Sequence, residues 1–200
     1  EVVTNDRPRI DYTDTSDGVL LLEKAATNLL PYSNDFSNSA WDKYSFGTGL
    51  IPVVTSNNAI SPDGTLNASK VVFNTGSGTT SSDQSIIEES VNTTSGVSIN
   101  QSVYLKGENG GETILVRGAG GSSYTTLTLT DKWVRYDVTE TSASTLSYWA
   151  IGLRQGLGGV VINSTVTIYM YGAQFEQNSV ASSYIPTQGS ASTRVAETAS

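Results

Sequence analysis

The chain of 200 residues contains no cysteine and no histidine. The first absence removes disulfides and thiolate metal sites and leaves the redox compartment unread. The second removes the usual general base, the Ser-His-Asp triad and His-ligated zinc or copper. Charge is scarce, with Asp, Glu, Lys and Arg together at 15%. The apolar fraction, 37%, is below the globular average. No apolar run approaches the length of a membrane-spanning helix. No glycine cluster is followed by Lys-Ser or Lys-Thr, so phosphate-cradling loops are missing too. The opening Glu1-Val2-Val3 has no signal-peptide pattern, and the chain reads as a piece of a longer protein.

What fills the space is Ser, Thr, Asn and Gly. That mix suits a β-domain with many turns and polar outer faces, and not a helical bundle. Apolar runs recur at strand length, so it is not a disorder signature. The net charge of −8 repels phosphates, which makes nucleic acid and anionic membranes poor partners. It favours neutral ligands or cations, although solubility alone also accounts for it.

Gly and Asn punctuate the chain and supply the positive φ angles of tight turns. Between them lie strand candidates at Val19 to Glu23, Leu50 to Thr55, Ala68 to Phe73, Gln84 to Glu88, Val97 to Leu105, Thr113 to Arg117, Tyr124 to Thr130, Trp133 to Thr139, Leu146 to Gln155, Val160 to Ile162 and Val166 to Glu176. Ala25 to Leu30 fits either a helical turn or an extended link, and Pro31 disfavours helix at Leu30. Gly118-Ala119-Gly120-Gly121 reads as a hairpin turn. So many strands at this spacing predict an all-β, two-sheet antiparallel β-sandwich over residues 19–177. Residues 1–18 read as an extended lead-in, and 178–200 as a polar tail or linker anchored only by Tyr184-Ile185-Pro186.

Alternation assigns faces. Val97, Ile99, Val103 and Leu105 share one side with Gln101. Trp149, Ile151 and Leu153 point inward, with Tyr148, Ala150, Gly152 and Arg154 outward. Val166, Ile168 and Met170 point inward, with Tyr169 and Tyr171 outward. Trp41 and Trp133 read as core or rim packing. The outward set Tyr104, Arg117, Tyr124, Tyr148 and Arg154 combines flat aromatic faces with planar polar groups, which is what a sugar ring and its hydroxyls require. If their strands share one sheet, they form an open ligand-binding platform. The same tyrosines also fit ordinary cross-strand pairs on an antiparallel sheet.

Paired carboxylates are the signature of glycosidases. The candidates are Glu88-Glu89, Glu108 with Glu112, and Asp137 with Glu140. Glu88 and Glu89 would point to opposite faces of a strand. None shows a hydrophobic shell in sequence that would raise its pKa. No lyase motif is visible, and no enzyme is predicted.

Asn28-Leu29-Leu30, Asn34-Asp35-Phe36-Ser37 and Trp41 resemble the opening of jelly-roll carbohydrate-binding modules. Tyr169 to Glu176 resembles their closing strand. With Leu20 to Glu23, Ser61 to Gly64, Val103 to Lys106, Trp133 to Tyr136 and Ser183 to Thr187, the chain is similar to modules of bacteriophage tail and virion proteins and of marine bacterial proteins. The resemblance implies a non-catalytic glycan-binding module of a phage tail fibre or virion appendage. It would recognise a host surface polysaccharide at a virion or extracellular location, with copies on a homo-oligomer adding avidity. Two alternatives stay open: a structural virion decoration or oligomerisation domain, and an accessory module of a secreted polysaccharide-degrading enzyme. No cofactor is required. The resemblance does imply a structural calcium between the first and last strands, held by Asp35, Glu176 and carbonyls around Phe36. Ala173 stands where those modules usually carry an aspartate, and Asp35 also fits a simple turn cap.

Overall fold

A computed structural model describes residues 9–11, 17, 19–118, 123–157 and 163–197. The strands are β1 (Arg9–Asp11), β2 (Val19–Leu21), β3 (Ala26–Asn28), β4 (Asp42–Phe46), β5 (Leu50–Ile60), β6 (Leu66–Asn74), β7 (Gln84–Asn92), β8 (Ser98–Gly107), β9 (Thr113–Arg117), β10 (Tyr124–Thr128), β11 (Val134–Thr141), β12 (Leu146–Arg154), β13 (Thr165–Glu176) and β14 (Ser192–Arg194). No helix occurs among the described residues. The candidate strand Val160 to Ile162 and the turn Ala119 to Gly121 lie outside them.

Two five-stranded antiparallel sheets carry the fold. The front sheet runs β10-β9-β12-β7-β4, and the back sheet runs β11-β8-β13-β6-β5. Their inner faces meet in one apolar core, as the alternation requires. Ile87, Val91, Ile114, Val116, Trp149, Ile151 and Leu153 come from the front sheet. Ile99, Val103, Leu105, Ile168, Met170 and Phe175 come from the back sheet. Gln101 shares that inner face and donates across the sandwich to the backbone carbonyl of Arg117 at 2.7 Å. Trp41 and Phe36 close one end of the core against Trp149, with ring centroids 5.0 Å (Trp41–Trp149) and 5.1 Å (Phe36–Trp41) apart. Trp133 is half-buried and donates its indole N–H to the Ile60 carbonyl at 2.9 Å.

The chain's early and late segments lie side by side. Leu29 donates to the Phe175 carbonyl, and Ala173 donates to the Ser33 carbonyl. The side chain of fully buried Asn28 joins three segments. It donates to the carbonyls of Ala173 (3.0 Å) and Ile185 (2.9 Å) and accepts from the amides of Leu30 (3.2 Å) and Phe175 (3.1 Å). At the same place β13 bulges between Tyr171 and Gln174. Gly172 sits there at φ 65°, a region open to glycine, and its amide reaches Asn34 Oδ1 at 2.8 Å.

The segments that flank the two large sheets also take part in strand pairing. The lead-in contributes β1, which pairs with β2. Within the span expected as a tail or linker, residues 178–194 supply a covering layer. β14 pairs with β3, Ile185 is buried, and Ser182 and Ser183 bond to Glu176 and Glu23. The reason is polar. Gln174 and Glu176 emerge from the bulge on the outer side of β13, both buried, and need partners that a covering segment supplies. Ser182 gives Glu176 its N–H (3.0 Å) and its hydroxyl (2.6 Å), and the Ile185 amide donates to Gln174 Oε1 at 2.6 Å.

Candidate functional site

The outer face of the front sheet gathers chemistry that no single segment holds. Cross-strand register sets its rows. One row reads Asp42, Glu88, Ala150, Arg117, Tyr124 across β4, β7, β12, β9 and β10. The next reads Tyr44, Ile86, Gly152, Leu115, Thr126. A third holds Phe46, Gln84 and Arg154, and Tyr148 opposite Ser90 lies beyond the first. Along β12 the outward residues are therefore Tyr148, Ala150, Gly152 and Arg154, spanning about 20 Å at strand rise.

The centre of this face is apolar and buried although it points away from the core. Ile86 is 2% exposed, Leu115 4% and Ala150 1%. Their cover comes in part from longer neighbours that lean over them and bond to one another. Arg117 reaches over Ala150 to ion-pair with Glu88. Tyr44 donates to the same Glu88 carboxylate at 3.1 Å. Arg154 donates to the Tyr124 hydroxyl at 2.8 Å and to the Ser81 carbonyl at 2.8 Å. Each guanidinium also stacks on a ring, Arg117 4.9 Å from the Tyr148 centroid and Arg154 5.3 Å from that of Tyr124. Burial, the neighbouring Glu88 charge and its hydrogen bond push the Tyr44 hydroxyl up to about 12, so it remains a donor. Phe46 packs edge-on to Tyr44 at 5.5 Å and is 59% exposed. The small central residues are required. A Cβ on Gly152 would lie 2.8 Å from Ile86 Cδ1 and closer still to the Ser85 carbonyl. The result is a flat layer of tyrosine rings and guanidinium planes over a greasy floor.

Of the five residues expected to bind ligand, the structure brings four together here: Arg117, Tyr124, Tyr148 and Arg154. Tyr104 points outward as its alternation demands, but β8 belongs to the back sheet. There it packs on Tyr171 (5.9 Å) and under Arg135 (5.5 Å), and Tyr171 in turn packs on Tyr184 of the covering segment (5.4 Å). Tyr171 and Tyr184 hold hydroxyls raised by burial, bonded to Asp63 and Asn34. Sequence reasoning missed Tyr44, Phe46 and Glu88 as members of the platform. Only register across β4 and β7 places them, and β4 carries no apolar alternation to announce it.

The carboxylates sort differently from expectation in one respect. Glu88 and Glu89 do face opposite sides, but Glu89 has the apolar environment that the sequence does not reveal. It lies on the inner side of β7, in register with Trp149. Burial first, and then the Asp42 charge, push its carboxyl up from the ordinary 4.5 to about 7.

The calcium expectation meets a different cation. Asp35 is exposed and accepts from the amide and hydroxyl of Ser37, a local turn cap. Glu176 is buried and bonded to Gln174 and Ser182. The carbonyls of Phe36, Asn38 and Trp41 converge on the Lys43 ammonium at 3.3, 3.0 and 2.7 Å. That lysine occupies the oxygen cradle a metal would need, so these residues do not fit a calcium there. Among the described residues, no group of three or more acidic side chains is arranged to hold a metal ion.

No protein-family model matches the chain, and no curated relative matches it. Solved structures do resemble it. The N-terminal tandem of CBM22 domains from Paenibacillus barcinonensis Xyn10C is 16% identical, covers 80% of this chain and 49% of its own, and superposes with a TM-score of 0.46. A putative sugar-binding protein from Bacteroides thetaiotaomicron is 10% identical, with 76% and 95% covered and a TM-score of 0.46. The enzymatically active domain of bacteriophage CBA120 tailspike protein 4 is 11% identical, with 72% and 20% covered and a TM-score of 0.45.

Proposed function

We propose that the chain is a non-catalytic glycan-binding module that lays a saccharide along β12 on the outer face of the front sheet. The observation that carries this reading is the platform itself: Tyr44, Phe46, Tyr124 and Tyr148 with Arg117, Arg154 and Glu88 over one apolar floor. Rings accept the C–H face of a sugar, fixed guanidinium groups donate to its hydroxyls, and a carboxylate accepts from them. The length of the face suits several consecutive pyranose rings rather than one chain end. Glu88 is engaged by Arg117 and Tyr44, and it orients those donors on the platform. The resemblance seen in the sequence makes a host surface polysaccharide the expected ligand and a virion or extracellular setting the expected location. A glycan array followed by titration calorimetry tests the reading. Binding that is lost in Tyr148→Ala supports it; a folded protein that binds no glycan overturns it.

A second reading is favoured by β5. This back-sheet edge strand exposes Leu50 (57%), Ile51 (59%) and Val53 (61%). Exposed apolar edges mark contact surfaces, and a virion decoration or oligomerisation domain would use one. Solution mass decides it: a stable homo-oligomer dispersed by Ile51→Lys supports assembly, and a strict monomer excludes it.

A further inference from the structure

The two arginines of the platform are not equivalent. Arg117 has its charge matched by Glu88. Arg154 has no carboxylate partner among the described residues; its bonds go to a backbone carbonyl and a phenol. The sequence at positions 119–122 and 158–162 contains no acidic residue either. Asp83, just ahead of the residue in register with Arg154, spends both carboxylate oxygens on Thr48 and Thr80. The acids of this face, Asp42 and Glu88, sit in the row of Arg117. The face is therefore polarised along β12, with both acids toward the Tyr148 end and a cation without a carboxylate partner at the Arg154 end.

Arg154 is also held ready. Nε is tied to Ser81, Nη1 to Tyr124, and the guanidinium plane lies over the Tyr124 ring. Nη2 has no hydrogen-bond partner among the described residues. A guanidinium fixed in this way forms charge-assisted bonds to paired anionic oxygens with little ordering penalty.

Building on the glycan-binding reading, we propose that this module selects an acidic glycan, with the anionic group of one sugar at Arg154 and neutral ring contacts toward Tyr148. Carboxylate and sulfate ester present the same paired oxygens, and the test separates them. Calorimetry is run with uronate oligosaccharides beside their carboxyl-reduced forms, and with sulfated galactan oligosaccharides beside their desulfated forms. The expected result is that one acidic member binds at least about tenfold tighter than its neutral partner. That preference disappears in Arg154→Gln and survives in part in Arg154→Lys. Tyr124→Phe, which frees Nη1 while keeping the ring, weakens the preference without unfolding the protein. Equal binding of acidic and neutral partners, or a preference unchanged in Arg154→Gln, overturns the proposal and leaves glycan binding standing. No binding to any member by a folded protein removes the glycan reading, and this inference with it.

Discussion

Replacing Asn28 by alanine should cost more than any other single polar substitution in this sandwich. The side chain is fully buried and uses all its hydrogen-bonding capacity, two donations and two acceptances, on four backbone groups from three segments. Alanine keeps the strand but strands those four groups. A buried polar group left unpaired costs about 1–3 kcal/mol. The four losses do not add fully, because the side chain leaves a space that water can enter and bridge. A loss of about 3–5 kcal/mol is therefore expected. For a chain of this size that is a fall in Tm of about 10 °C, against a total stability of about 5–15 kcal/mol. The assay is urea unfolding followed by tryptophan fluorescence, since Trp41 and Trp149 both lie in the core. Asn28→Asp separates the donors from the acceptors. It keeps an oxygen for the Leu30 and Phe175 amides but aims an anion at the carbonyls of Ala173 and Ile185. It should be as damaging as alanine at neutral pH and partly recover in acid, where the protonated carboxyl can donate once. A change below about 1 kcal/mol for Asn28→Ala would falsify the claim that this residue closes the fold.

Other perturbations follow from the same structure. Glu89 has a folded-state pKa raised to about 7. Its contribution is favourable below about pH 4.5, shrinks as pH rises toward 7 and is a penalty above that. Glu89→Gln should therefore stabilise the domain at pH 8 by about 1–2 kcal/mol, discounted for partial exposure, and leave it unchanged at pH 4, as read from urea midpoints. Asp83 works in the opposite direction. The Thr48 and Thr80 amides and hydroxyls hold it well below the usual carboxylate range, so its stabilisation is lost as pH falls below about 4; Asp83→Asn should flatten the acid limb of the stability profile. Lys43→Met should lower the melting temperature because three carbonyls lose their donor, while a chelator leaves the wild-type melt unchanged. Truncation after Gln177 should leave no soluble folded domain. It strips Glu176 and Gln174 of Ser182 and Ile185, and an uncompensated buried carboxylate costs about 3–5 kcal/mol.

Strand identity was legible in the long strands that bury one apolar face, and not in three-residue β3, where Ala26 and Asn28 are buried. The inward Trp149, Ile151 and Leu153 and the outward Tyr148 and Arg154 fall where period-two alternation put them. β4 escaped because it is an edge strand whose inner positions are Lys43 and Ser45, residues that carry no core signal. Its loss took Tyr44 and Phe46 with it. Glu88 was visible as an acid, but its partners Arg117 and Tyr44 lie on other strands, and only register unites them. Asn28 stood out as part of a motif, while its purpose depends on Ala173, Phe175 and Ile185, far along the chain. The apolar shell that raises Glu89 is likewise a product of packing against Trp149 and leaves no local trace.

The two outer faces of the sandwich show why four expected ligand residues group and the fifth does not. Both faces carry tyrosines with an arginine stacked on them. On the back sheet the β13 bulge places buried Gln174 and Glu176 on the outside, and those groups require a covering segment. Residues 178–194 provide it, and Tyr184 comes with them to pack on Tyr171 beside Tyr104. The back-sheet aromatics therefore support the fold. On the front sheet the outward row contains Ala150 and Gly152, which demand no polar partner, and the long side chains around them bridge one another instead. Stability there does not depend on a cover, so the layer is free to take one from outside. This asymmetry makes a prediction of its own. Tyr148→Ala should leave the melting temperature within a few degrees of wild type, because its ring lies on the exterior. Tyr171→Ala should lower it by about 10 °C, because that ring is 6% exposed and anchors the Asp63 loop through its hydroxyl at 2.8 Å. Equal effects of the two substitutions would mean that the front face is part of the core architecture and not a surface held open for a ligand.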